Sequence, residues 1–136
     1  MANYRIEDIE GIGTVKGKQF RAAGVKDTDS LLANARTPKL RKELAAKTGL
    51  SEAQILEFAN RADLYRIKGI GSEYSDLLEA AGVDTVPELS KRKAANLAKA
   101  MADVNKAKKL VRVEPSEKRV AGWIEQAKAL PRVIKY

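Results

Sequence analysis

The sequence predicts an all-α fold: two tandem copies of one helical unit packed as a single pseudo-twofold body. Three observations lead there. Ala, Leu, Lys and Glu, all good helix formers, dominate the 136 residues, and there is almost no strand signal. Apolar residues recur at helical spacing, as in Val15, Phe20 and Ala23, Leu40 and Leu44, Ile55, Leu56 and Ala59, and Leu97, Met101 and Val104. Thirdly, the chain repeats itself, and such repeats decide the fold. Ile9 to Leu31 (IEGIGTVKGKQFRAAGVKDTDSL) aligns without gaps on Ile67 to Leu89 (IKGIGSEYSDLLEAAGVDTVPEL) at an offset of 58. A second match, at an offset of 65, pairs the segment opened by Ser51-Glu52 with the one opened by Ser116-Glu117, which puts about seven extra residues between Leu89 and Ser116. The units are therefore residues 1–64 and 65–136, with about five short helices each. A half of this length is marginal alone, so the two are expected to form one compact unit.

The elements follow in order. A short helix from Ile6 to Glu10 leads into Gly11-Ile12-Gly13, where the glycines allow a tight turn and Ile12 plugs the core. The next helix stops at Gly24, placed for a left-handed residue after Ala22-Ala23. Asp27 and Asp29 read as turn and cap residues. Thr37-Pro38 starts another helix, with Pro in its first turn, and Ser51 caps the one after it. The second unit repeats the plan. A short helix from Leu64 to Lys68 enters Gly69-Ile70-Gly71, Gly82 is the stop, and Asp84-Thr85 with Pro87 starts a short helix. A basic helix then turns Leu97, Met101 and Val104 inward and Lys93, Lys99 and Lys106 outward, and Ser116 caps the last helix.

Composition limits the chemistry. With no Cys there are no disulfides, no thiolate zinc site and no Cys nucleophile. With no His the usual general base and the commonest metal ligand are missing. Apolar runs are only a few residues long and the first ten residues lack a signal peptide's apolar core, so a cytoplasmic address and no membrane partner are expected. A net charge of +8, with a pI near 9.7, points to an anionic partner, nucleic acid above all.

The pattern apolar-x-Gly-apolar-Gly opening an amphipathic helix marks a helix-hairpin-helix. The second helix of such a motif starts with free N–H groups at the positive end of its dipole, which suits a phosphate oxygen and reads no base sequence. At these residues the chain resembles the tandem helix-hairpin-helix superfamily, whose members include DNA-repair, recombination and polymerase-tail modules. Within it the sequence is most similar to an uncharacterised prokaryotic family known only as a domain of unknown function. The resemblance spans essentially the full length. It implies an all-α fold and sequence-nonspecific binding of duplex DNA through the hairpin backbone. It also allows a monovalent cation at the hairpin turn, and no other cofactor. The superfamily serves as a protein-interaction module too, so fold follows from the resemblance more directly than function.

The two hairpins differ in charge. Carried over residue by residue, the phosphate-binding role fits Gly11, Gly13, Thr14, Lys16 and Lys18, with Arg21 a third cation on the same helix. In the second hairpin only Gly69, Gly71 and Ser72 match, and Glu73, Asp76 and Glu79 would repel phosphate. Further cations gather between Lys91 and Arg112, including Lys91, Lys93 and Lys99, against Asp103 alone. Arg36, Lys39, Arg41, Lys42 and Lys47 form a second basic group. Each charge run also reads as a solvated face, and each glycine turn as a folding device only. There are seven aromatics, and Phe20, Phe58 and Trp123 sit at apolar positions, which disfavours a base-stacking platform and fits a duplex backbone better.

Lys16 and Asp27 would be the residues of a lyase or glycosylase, but the chain has no second lobe to wall a pocket for a flipped base. No carboxylate cluster suggests metal-ion nuclease chemistry, no Walker-type loop is present, and no small-molecule substrate is indicated. A non-enzymatic binder of duplex DNA is expected. The alternative is a protein-interaction or self-assembly module, with Glu73, Asp76 and Glu79 docking a basic face of a protein partner or of a second copy in a homo-oligomer.

Overall fold

The computed structural model describes residues 3–136, which form one 3-10 turn and eight α-helices. The 3-10 turn is Ile6–Asp8, followed by α1 (Gly13–Ala22), α2 (Thr28–Asn34), α3 (Pro38–Thr48) and α4 (Glu52–Leu64). The later helices are α5 (Ser72–Ala80), α6 (Val86–Ser90), α7 (Ala94–Lys108) and α8 (Glu117–Ala129). The fold is all-α. An isolated bridge between Arg5 and Asp27 joins the N-terminal segment to the start of α2. Among the described residues no helix is long and apolar enough to cross a membrane.

Local chemistry sets the helix boundaries. Asp27 caps α2 by accepting from the Ser30 amide, and the Ser30 hydroxyl accepts from the Asp27 amide in return. Thr37, Ser51, Thr85 and Ser116 cap α3, α4, α6 and α8 through the same i+3 amide bond. Gly24 and Gly82 take left-handed angles just after α1 and α5, as their positions in the sequence require. The extra residues of the second half have a clear location. Helix α7 has 15 residues where α3 has 11, and residues 109–116 join α7 to α8 where 49–51 join α3 to α4. Asn105 closes that longer loop, its side chain both donating to and accepting from the Val111 backbone.

Packing follows one scheme in both halves. Helix α1 lies on α3 and α2 on α4, just as α5 lies on α7 and α6 on α8. Two apolar cores result. One contains Ile9, Phe20, Leu31, Ile55 and Phe58, and the other Ile67, Leu78, Leu89, Val120 and Trp123, residue for residue at the offsets of the repeat. The first glycine of each turn explains part of that match. Gly11 (φ 89°) would place a Cβ 3.4 Å from Phe58, and Gly69 (φ 98°) would place one 3.0 Å from the Trp123 Nε1. A backbone without a side chain thus lies against the aromatic ring of α4 in one half and of α8 in the other.

The structure corrects several expectations. The first half has four α-helices and a 3-10 turn, and the second has four, not five short helices each. No separate helix spans Leu64 to Lys68, because α4 runs through Leu64 and its C-terminal turn leads into the second glycine turn. Val15, grouped with Phe20 and Ala23 from the sequence, is 74% exposed: five residues before Phe20, it stands about 140° round the helix from it. The two glycine turns are also unalike. Gly13 is left-handed at φ 63°, whereas Gly71 is extended at φ −110°.

A further feature carried no local signal. Residues 131–136 leave α8 and cross to the first half, where Ile134 is 1% exposed within that half's core. Arg41 is buried and holds this segment, donating to Ala35 O at 2.9 Å and to Lys135 O at 2.8 Å. Lys135 N–H donates to Arg36 O, and the Tyr136 hydroxyl donates to Asn60. Arg41 therefore leaves the basic surface group proposed from sequence: it is an internal brace.

Two stability measurements follow. Gly69→Ala should cost about 2 kcal/mol in urea unfolding, since it adds left-handed strain to a clash with Trp123, while Gly71→Ala should stay within roughly 0.5 kcal/mol. Equal effects would mean the two glycines are not distinguished as described. Ile134→Ala should cost roughly 2–4 kcal/mol, the range for emptying a packed core position. A near-zero value would show that the C-terminal segment does not dock in solution.

Candidate nucleic-acid interface

The N-terminal turn of α1 is open. Ile12, its capping residue, makes no side-chain cap bond, the turn has no acidic residue, and Gly11, Gly13 and Thr14 are exposed. The first N–H groups of the helix therefore face water with nothing charged against them. Lys16 lies half-buried beside the turn, its Nζ 3.3 Å from Gly11 O, and Lys18 is exposed one turn on. Of the residues assigned to phosphate from the sequence, Gly11, Gly13, Thr14 and Lys16 lie at this turn, while Lys18, two residues after Lys16, points to another side of the helix.

Arg21 is engaged elsewhere. Its guanidinium grips Glu7 of the 3-10 turn with two hydrogen bonds of 2.7 Å. Glu7 also lies over Gly17, which is buried and not a small surface residue. Any Cβ at Gly17 would fall 2.7 Å from the Glu7 carboxylate. Glu7 and Arg21 thus press the 3-10 turn against α1 and fix the angle of the hairpin. The Arg21 guanidinium holds the Glu7 carboxyl at about 2, well below its ordinary 4.5.

The second hairpin carries different side chains at its first turn. Position 74 corresponds to Lys16 by the offset of 58, and it holds Tyr74. The Tyr74 hydroxyl donates to Val113 O and accepts from Arg119, whose guanidinium also lies over the Tyr74 and Trp123 rings at 5.0 and 5.6 Å. The first turn of α5 also contains the exposed Glu73. Asp76 and Glu79 do not point to an outside partner. Arg61 on α4 donates to both, at 2.7 Å to Asp76 and in closer contact with Glu79, and is itself mostly buried. Of the three acidic residues read as a protein interface, Glu73 alone lacks a partner among the described residues.

Tyr65, just past α4, lies between the halves. Its hydroxyl sits beside Ser75 of α5 and 3.5 Å from the Glu10 amide, and its ring meets Tyr4 edge-on. Burial pushes the phenol up, and the bonds to Ser75 and the Glu10 amide offset part of that. Asp27 is the cap of α2. The Ser30 hydroxyl, the Ser30 amide and Asn3 all donate to it and lower its pKa, in keeping with a capping role.

On α7, Leu97 and Met101 are buried, Val104 is half-buried, and Lys99 and Lys106 are exposed, as predicted. Lys91 and Lys93 precede the helix and are exposed as well. None of Lys91, Lys93 and Lys99 is in an ion pair among the described residues. Tyr74 and Arg119 carried no motif of their own, and only their positions in the repeat mark them out. Among the described residues no group of three His, Cys, Asp or Glu side chains could hold a metal ion.

The Glu7–Arg21 pair makes a pH prediction. A carboxyl depressed in the fold contributes stability above its ordinary value of 4.5 and loses it as the pH falls towards about 2. Asp63 has the opposite sign, since burial raises it, and protonation relieves its cost. In a carboxyl NMR titration, Glu7 should still be ionised at about pH 3, and Arg21→Ala should return it to the ordinary range. Unchanged titration in that variant would refute the contact as the cause.

Residues 10–130 match the family described as Domain of unknown function (DUF4332). No curated protein and no solved structure matches the chain.

Proposed function

The chain belongs to the family described as Domain of unknown function (DUF4332), and on that premise we propose that it is a tandem helix-hairpin-helix protein that binds duplex DNA without sequence preference and without catalysis. One observation carries the reading: the uncapped, acid-free and exposed first turn of α1, with Lys16 beside it and Lys18 exposed further along the helix. A phosphate oxygen there would accept from backbone N–H groups at the positive end of the helix dipole, and the two lysines would add charge. Such contacts position a protein on a duplex and read no bases. The second hairpin takes the architectural role, since Glu73 stands in its first turn and the residue at the place of Lys16 is Tyr74, tied to Arg119 and Val113. Lys91, Lys93 and Lys99 supply further phosphate contacts.

Exposed Val15 on the same turn favours the rival reading, a protein contact at the first hairpin. The engagement of Asp76 and Glu79 by Arg61 speaks against a docking site at the second.

The test is a fluorescence titration of duplex DNA across a range of salt, alongside light scattering. Neutralising ~4–6 phosphates should give a log–log salt slope of about −4 to −5. Replacing Lys16 and Lys18 by Ala should flatten it by roughly two units with little change in folding. Glu73→Ala should leave binding unchanged or slightly tighter. No binding at low salt, with a Val15→Ser variant that disrupts an oligomer, would establish the protein-contact reading instead.

A further inference from the structure

Three arginines from separate parts of the chain line one open cleft of about 340 Å³. Arg36 comes from the turn between α2 and α3, Arg66 from the turn after α4, and Arg132 from the segment after α8. Leu32 and Val133 provide apolar wall, and Asp29 is the carboxylate in the lining. Three like charges around one small space repel each other and favour an anion between them.

Arg66 makes this a built feature. Its side chain is only 9% exposed, and its Nη1 donates to Asp63 Oδ1 at 2.8 Å and to Pro131 O at 3.2 Å. Asp63 is itself buried, so the guanidinium is held in one orientation. Its remaining N–H groups, at Nε and Nη2, have no hydrogen-bond partner among the described residues, and Arg66 lines the cleft. Arg36 and Arg132 are exposed and form no ion pair among the described residues, and Arg132 rests over the Tyr136 ring at 5.6 Å.

We propose that this cleft binds a phosphomonoester, with the phosphate between Arg36, Arg66 and Arg132 and the carbon portion against Leu32 and Val133. Guanidinium forks match phosphate oxygens two at a time, and an anion offsets the net positive charge that the three arginines keep over Asp29 and the Asp63 carboxylate paired with Arg66. The cleft lies at the small end of the range for small-molecule sites. The phosphate comes from a free small molecule or from the 5′ end of a nucleic-acid strand. The inference is independent of the DNA contact assigned to the first hairpin.

Calorimetry of the full chain at low salt with adenosine 5′-monophosphate, and with adenosine as the matched probe, tests it. The monophosphate should bind with a Kd below about 1 mM and adenosine should not bind. Arg36→Gln with Arg132→Gln should weaken binding about tenfold or more without shifting the unfolding midpoint, since both side chains are exposed. Lys16→Ala with Lys18→Ala should leave it unchanged, which separates this cleft from the hairpin. A 5′-phosphorylated duplex that displaces the monophosphate, where its 5′-hydroxyl counterpart does not, would support the site and name a strand end as the source. Failure of both duplexes to displace it would support the site and name a free small molecule. Adenosine binding as well as its monophosphate, wild-type affinity in the double arginine variant, or no saturation below about 10 mM would overturn the proposal.

Discussion

Arg61 on α4 holds Asp76 and Glu79 on α5, and much of the molecule is arranged around that contact. Helix α4 belongs to both halves. Its residues Ile55, Phe58, Ala59 and Ala62 fill the first core, while Leu64, at its last turn, belongs to the second. The chain thus changes cores within one helical turn, and no flexible linker intervenes. A helix shared in this way transmits any rotation of one half directly to the other. The mostly buried Arg61 guanidinium fixes that rotation, since losing either acidic partner would leave a desolvated charge poorly matched. Tyr65 and the Asp63–Arg66 pair extend the same seam towards the first hairpin and the C-terminal segment.

The same scaffold carries two hairpins with different surfaces. Where the first has Gly17 under Glu7, the second has Ser75 beside Tyr65; where the first has Lys16, the second has Tyr74 under Arg119. The acidic residues of α5 are absorbed by the contact to α4, whereas the lysines of α1 stay at the surface. One repeat unit has thus turned its helix face inward to build the seam, and the other has left it outward.

Helix starts and stops were legible because they are local. A Ser, Thr or Asp with an amide three residues on, or a glycine after two alanines, needs no knowledge of the rest of the chain. The repeat was legible because I-x-G-I-G and A-A-G-V recur at one offset, and the corresponding core positions stay apolar while changing size, as with Phe20 and Leu78 or Phe58 and Trp123. Val15 misled because its distance of five residues from Phe20 turns it to another face of α1, where it is exposed. Arg41 misled because a charged side chain reads as surface unless its carbonyl partners are known, and one of them lies 94 residues away. The open first turn of α1 was readable from the glycine motif, but the engagement of Arg21, Asp76 and Glu79 depends on residues that meet only in the folded state.

That distance of 94 residues between Arg41 and Lys135 also bears on how the protein is made. On a ribosome the first half emerges well before the segment that completes its core. At roughly 5–20 residues per second the interval is about 5–20 seconds, long compared with helix formation or collapse. During that time Ile134 is missing from the first core, and the Arg41 guanidinium lacks the Lys135 carbonyl. The nascent first half is then a looser body than its finished form, with apolar surface open to a chaperone. Its closure waits for residues 131–136, which reach back to Arg41 and Asn60 and place Ile134 in the first core.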